Sequence, residues 1–139
     1  MLLAVDRLVC EEFNRSGGVR QRAMLVRDDS FSEYPIEWHD DASKTLAFKK
    51  VKNLARDAGT KCFFIIGEAW LAPWPQRGDP LIRASKSDRK IEVVYMFAGD
   101  ASGGNLLGIR PVETSFLTAE PRATLGPLES HADVEGFLA

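Results

Sequence analysis

The segment Lys61–Trp70 constrains this chain more than any other. It reads Lys-Cys-Phe-Phe-Ile-Ile-Gly-Glu-Ala-Trp. A strand exposed on one face alternates apolar and polar residues, whereas a nearly unbroken apolar run implies burial on both faces and a central place in a sheet. The rest of the chain must supply that sheet and its cover.

Other strands follow from alternation and turn chemistry. Ile91–Ala98 sets Ile91, Val93, Tyr95 and Phe97 against Glu92, Val94 and Met96. Gly99–Gly104 is rich in Gly, Asp and Ser, and Asn105–Arg110 resumes a strand, so residues 91–110 read as a hairpin. Val112–Thr118 extends that strand past Pro111 or forms another. Val19–Arg27 alternates partly and reads as a strand. Tyr34–Trp38 reads as a short edge strand, because Pro35 lacks the amide a sheet interior needs.

Two stretches have helical spacing. Leu2, Val5, Val9 and Phe13 share one helix face, and Gly17-Gly18 supplies the stop. Asp40–Ala58 carries an apolar stripe of Leu46, Ala47, Val51, Leu54 and Ala55, while Lys44, Lys49, Lys52 and Arg56 point elsewhere. Asp40 or Asp41 caps its start and Gly59 follows its end. Ser130–Leu138 reads as a short terminal helix. The pattern predicts one α+β domain over residues 1–139, an antiparallel sheet of four to five strands with two main helices packed on one face.

Charge and cysteines exclude several classes. The chain has 18 Lys+Arg against 20 Asp+Glu, a formal net charge of −2, so the basic excess of a general nucleic-acid binder is absent. Cys10 and Cys62 lack metal-type spacing and read as buried free thiols in a reducing cytoplasm. Asp6 and Arg7 break the apolar N-terminal stretch too early for a secretory signal, and no run approaches a membrane span. The expectation is a cytoplasmic protein that needs no membrane, cofactor or resident metal and forms a homo-oligomer.

Three groupings of residues suggest chemistry. The loop 73–90 is long for a compact domain. It holds Trp74 between two prolines, with Arg77, Arg83, Lys86 and Arg89 nearby. An exposed aromatic among arginines suits a small anionic ligand or a protein partner. The same charges would also serve a solvated loop. Second, if the strands flanking this loop pair symmetrically about residue 80, Glu68 falls opposite Glu92. Facing carboxylates repel, and sharing a proton or a divalent metal relieves them. A one-residue slip removes the pairing, and a salt bridge to Arg89 would neutralise it. Third, His39 lies among Glu37, Asp40 and Asp41, where it serves as a base or simply as a turn residue before the helix. Trp38, Trp70 and Trp74, with Tyr34 and Tyr95, suggest an aromatic surface, although Trp70 reads better as core.

Gly67-Glu68-Ala69-Trp70 and Asp88-Arg89-Lys90-Ile91-Glu92-Val93-Val94 resemble a pattern in uncharacterised small bacterial and phage proteins. In that pattern a Glu-Ala-Trp strand precedes an Asp-Arg-Lys-Glu-type strand. Here Ile91 separates Lys90 from Glu92, and the resemblance implies no activity. Common nucleotide-binding, α/β-hydrolase and zinc-protease motifs are absent from the sequence. The leading expectation is a binding or interaction module using the 73–90 loop. One alternative is a metal-dependent hydrolase using Glu68, Glu92 and His39. Another is a structural subunit of a larger assembly.

Overall fold

The computed structural model describes residues 1–28, 30–60, 62–71, 90–100, 103–115 and 122–132. Helix α1, Leu2–Ser16, buries Val5, Val9 and Phe13, the stripe its spacing predicts. Gly17 ends it at φ 75°, a left-handed conformation that glycine adopts without steric cost, and its N–H donates to the Phe13 carbonyl at 2.7 Å.

Strand β1 (Arg22–Val26) turns tightly into β2 (Phe31–Pro35), with the Arg27 N–H donating to the Ser30 carbonyl at 2.8 Å. This early turn fixes the register and moves the edge strand forward from the expected Tyr34–Trp38. Pro35 ends the strand, where its missing amide costs nothing. Ile36 and Trp38 instead pack against the core beneath helix α2, Asp41–Asp57. Asp40 caps α2: its Oδ1 accepts from the Ser43 N–H at 2.7 Å, and its own N–H donates to Ser43 Oγ at 3.0 Å. Gly59 follows at φ 66°.

The sheet is antiparallel throughout and seven-stranded, larger than the expected four to five. Its remaining strands are β3 (Cys62–Leu71), β4 (Ile91–Asp100), β5 (Asn105–Ser115), β6 (Arg122–Leu125) and β7 (Glu129–Ala132). The order is β2-β1-β3-β4-β5-β6, with β7 also pairing β5. The α+β class therefore stands, and the described part of the apolar run, Cys62–Trp70, does occupy the middle of the sheet.

The extra strands pair with the side of β5 that β4 leaves open. Val112 faces Leu125, the Gly126 N–H donates to the Pro111 carbonyl at 2.7 Å, and Ile109 faces Glu129. Pro111 cannot return a hydrogen bond to the Gly126 carbonyl. Arg110 Nη1 donates to that carbonyl instead, at 2.7 Å, so β5 runs straight through its proline. The expected terminal helix at Ser130–Leu138 is thus corrected: Glu129–Ala132 is a strand, because the open edge of β5 offers it backbone partners. Residues 133–138 of that expected helix lie outside the described residues.

The placement of the helices also differs from expectation. They cover opposite faces. α1 packs on Met24, Phe64, Ile66, Val94 and Met96. α2 packs on Ala23, Leu25, Phe63, Ile65 and Phe97. The physical reason lies in the central run itself. Phe63 and Ile65 point one way, Phe64 and Ile66 the other, and burying each such side chain contributes about 1.5–3 kcal/mol. Two helices on one face would leave half of that surface in water. Ion pairs fix α1 in place: Arg22 Nη1 meets Glu12 Oε2 at 2.8 Å, with both side chains buried.

Candidate functional site

The structure disperses the residues that the sequence grouped. Trp74, Arg77, Arg83, Lys86 and Arg89 lie outside the described residues. Beside that stretch, Lys90 Nζ stands 4.7 Å from the centre of the Trp70 ring, a cation–π contact at the sheet's end. Trp70 is 47 % exposed there, so its reading as a core residue is corrected: it lies near the end of β3, outside both hydrophobic clusters. Trp38 and Tyr95 do belong to the core on the α2 side, so the expected aromatic surface does not assemble from them.

The carboxylates do not face each other. Glu68 lies opposite Val94, and Glu92 opposite Trp70. A two-residue shift keeps both on the α1 face of the sheet but sets them diagonally. Glu68 is also engaged elsewhere. Its Oε1 accepts from the Val19 N–H at 2.8 Å and holds the chain leaving α1. His39 is exposed at the entrance to α2, the helix on the opposite face, where its N–H donates to Ser43 Oγ at 2.8 Å. Among the described residues no three His, Cys, Asp or Glu side chains form a metal-type cluster. No described helix is long and apolar enough to cross a membrane. Cys10 and Cys62 are free and half-buried, and burial pushes both thiols up from their ordinary pKa.

A different place has the shape of a site. The C-terminal half of α2, the start of β3 and the β4–β5 turn enclose a cleft of about 690 Å³. Beneath it lie the buried core residues Ala55, Phe63 and Phe97, with the two rings 6.4 Å apart. Gly99, Gly103 and Gly104 form the wall at the turn. Gly99 is required by packing, since a Cβ there would lie 2.5 Å from the Phe63 ring. Gly103 is required by its backbone, at φ 88°.

The α2 wall is cationic. Lys49, Lys52 and Arg56 follow at spacings of three and four, which stack on one helix face. Neither lysine has an ion-pair partner among the described residues, and Arg56 Nε lies 3.6 Å from Asp57 Oδ1 with both side chains exposed. Like charges at this spacing disfavour the helix by a few tenths of a kcal/mol, which an anion would relieve. The C-terminal end of the helix dipole offsets part of that cost. A smaller groove of about 280 Å³ continues around the sheet's corner toward Leu2 and Phe64 and shares Cys62 and Asn105 with the first.

No family model, curated protein or solved structure matches this chain. The resemblance to small bacterial and phage proteins thus rests on the residues at 67–70 and 88–94 alone.

The sequence carried one unused signal for the cleft. No position three or four residues from Lys49, Lys52 or Arg56 is acidic, so the usual pairing of an exposed helix face is missing. What the sequence could not show is that the sheet's corner lies beneath that face.

Proposed function

We propose that this protein is a small-ligand binding module that takes an anion in the cleft between α2 and the β4–β5 turn. One observation carries the reading. Three cations line one wall of a cleft, and two of them, Lys49 and Lys52, lack ion-pair partners among the described residues. Concave sites with an apolar lining and a few convergent polar groups are the usual form of small-molecule sites. The cleft's volume falls within their ordinary range of roughly 300–1,000 Å³. The anion-binding part of the expectation from sequence is retained, and its location moves from the 73–90 loop to α2.

The test compares the two locations. Isothermal titration of a panel of carboxylates and phosphates is run on the wild type, on Lys49→Ala/Lys52→Ala and on Trp74→Ala/Arg83→Ala. Loss of charge-assisted contacts should weaken binding about tenfold or more in the first variant and leave the second unchanged. The reverse result assigns the ligand to the loop and refutes the cleft. Equal affinity in all three proteins removes both locations.

A further inference from the structure

We infer that residues 133–139 of this same chain dock back on the cationic face of α2 and compete with an external anion for it. The inference rests on the reading of the cleft as an anion site and adds the regulation of that site. Two independent observations support it. The first is where the chain leaves the sheet. β7 runs antiparallel to β5, and its last residue, Ala132, pairs with Leu106. Leu106 follows Asn105, which opens β5 and lines the cleft. The chain therefore departs from the end of the sheet at which the cleft lies. It continues, outside the described residues, as Asp133-Val134-Glu135-Gly136-Phe137-Leu138-Ala139. Three extended residues span about 10 Å, which matches the two strand spacings of roughly 4.8 Å from β7 across β5 to β4. Seven span about 23 Å, enough to reach the helix layer.

The second observation is charge. The segment holds Asp133 and Glu135 and no Lys or Arg. α2 holds Lys44, Lys49, Lys50, Lys52 and Arg56 against Asp41 and Asp57. Lys49, Lys52 and Arg56 are exposed along the cleft wall, so meeting them needs no rearrangement of the core. Exposed ion pairs are individually weak. A tether changes the balance, because a segment attached a few residues away is present at an effective concentration of about millimolar. The contact is reversible and screened by salt, as suits a competitor rather than a permanent part of the fold.

The test uses the full chain carrying Asp133→Asn/Glu135→Gln. The control is Glu129→Gln, which removes an exposed carboxylate on β7 ahead of the segment. Amide shifts are recorded without ligand and during titration with inorganic phosphate. The double variant should move the amides of Lys49, Lys52 and Arg56 before any ligand is added, and bind phosphate about threefold or more tighter than wild type. The shift difference between the two proteins should vanish at about 1 M salt. On a Lys49→Ala/Lys52→Ala background the same two substitutions should move nothing on α2. Unmoved α2 amides and unchanged affinity in the Asp133→Asn/Glu135→Gln protein would overturn the docking segment. The anion site would still stand if Lys49→Ala/Lys52→Ala alone abolished phosphate binding. An equal effect of Glu129→Gln would reduce the result to overall charge and overturn the assignment to 133–139. α2 amides that move only at high protein concentration would place the segment on a second copy and overturn the contact within one chain. No phosphate binding to any of these proteins would overturn the competition together with the anion site. Unchanged amides in β3 and β4 verify that each variant is folded.

Discussion

Asp6 on α1 receives two hydrogen bonds from Arg110 on β5, from Nε at 2.6 Å and from Nη2 at 2.7 Å. The remaining nitrogen, Nη1, supplies the Gly126 carbonyl at 2.7 Å, the acceptor that Pro111 cannot serve. One planar guanidinium thus joins a helix, a strand and the break between two edge strands, a geometry a lysine ammonium cannot reproduce. The same hydrogen bonds to Asp6 raise the Arg110 pKa above its ordinary value, so the guanidinium is charged throughout the physiological range. Removing it leaves a largely buried carboxylate and a carbonyl without their donors. Arg110→Ala is therefore expected to cost about 3 kcal/mol, and Arg110→Lys to fall between that variant and wild type. Urea unfolding measures both. An Arg110→Ala midpoint equal to wild type would show that the Asp6–Arg110 pair adds nothing to the hold on α1.

At the scale of elements, α2 shows how local chemistry sets a boundary. The Ser43 N–H bonded to Asp40 holds that carboxyl below the ordinary carboxylate pKa. A folded-state value lower than the unfolded one contributes stability above the unfolded pKa and loses it as pH falls through the folded one. Asp40→Asn keeps a capping acceptor but cannot titrate. The Tm of wild type minus that of Asp40→Asn should therefore be larger at pH 6 than at pH 2, read by circular dichroism. Curves that stay parallel across this range would detach the cap from the titration. Elements of this local kind were legible from sequence. Both helices, the Lys61–Trp70 strand and the 91–110 hairpin need only periodicity and turn residues within reach of themselves. One other feature was not, because its cause lies far along the chain: β7 exists because β5 has an open edge. The shift of the edge strand from Tyr34–Trp38 to Phe31–Pro35 has a nearer cause, the short connection from Arg27 to Ser30, whose turn residues the sequence does show. The candidate site divides the same way. The cationic stripe of Lys49, Lys52 and Arg56 is visible in the spacing, but its floor comes from β3 and β4, which no local pattern joins to α2.

At the scale of the whole molecule, chain order and sheet order diverge. β3 and β4 are central, with a helix on either side, and their buried residues form both hydrophobic clusters. β2, β6 and β7 lie outermost, and the residues of β2 and β7 are nearly all exposed. Amides open with free energies ranging from near zero at exposed edges to the global value in buried central strands. Hydrogen exchange should therefore be slowest at Phe63–Ile66 and Val93–Phe97, intermediate in β1 and β5, and fastest in β2 and β7. The measurement also addresses association. An unpaired edge strand is a template for another chain, and Phe31 and Tyr34 leave apolar surface on β2. If β2 exchanged as slowly as β3, and its protection fell on dilution, a second copy would cover that edge and the gradient expected of the isolated sheet would be wrong. Fast exchange in β2 at every concentration would mean that any assembly of this chain uses a different surface, one that leaves the outer strand open to water.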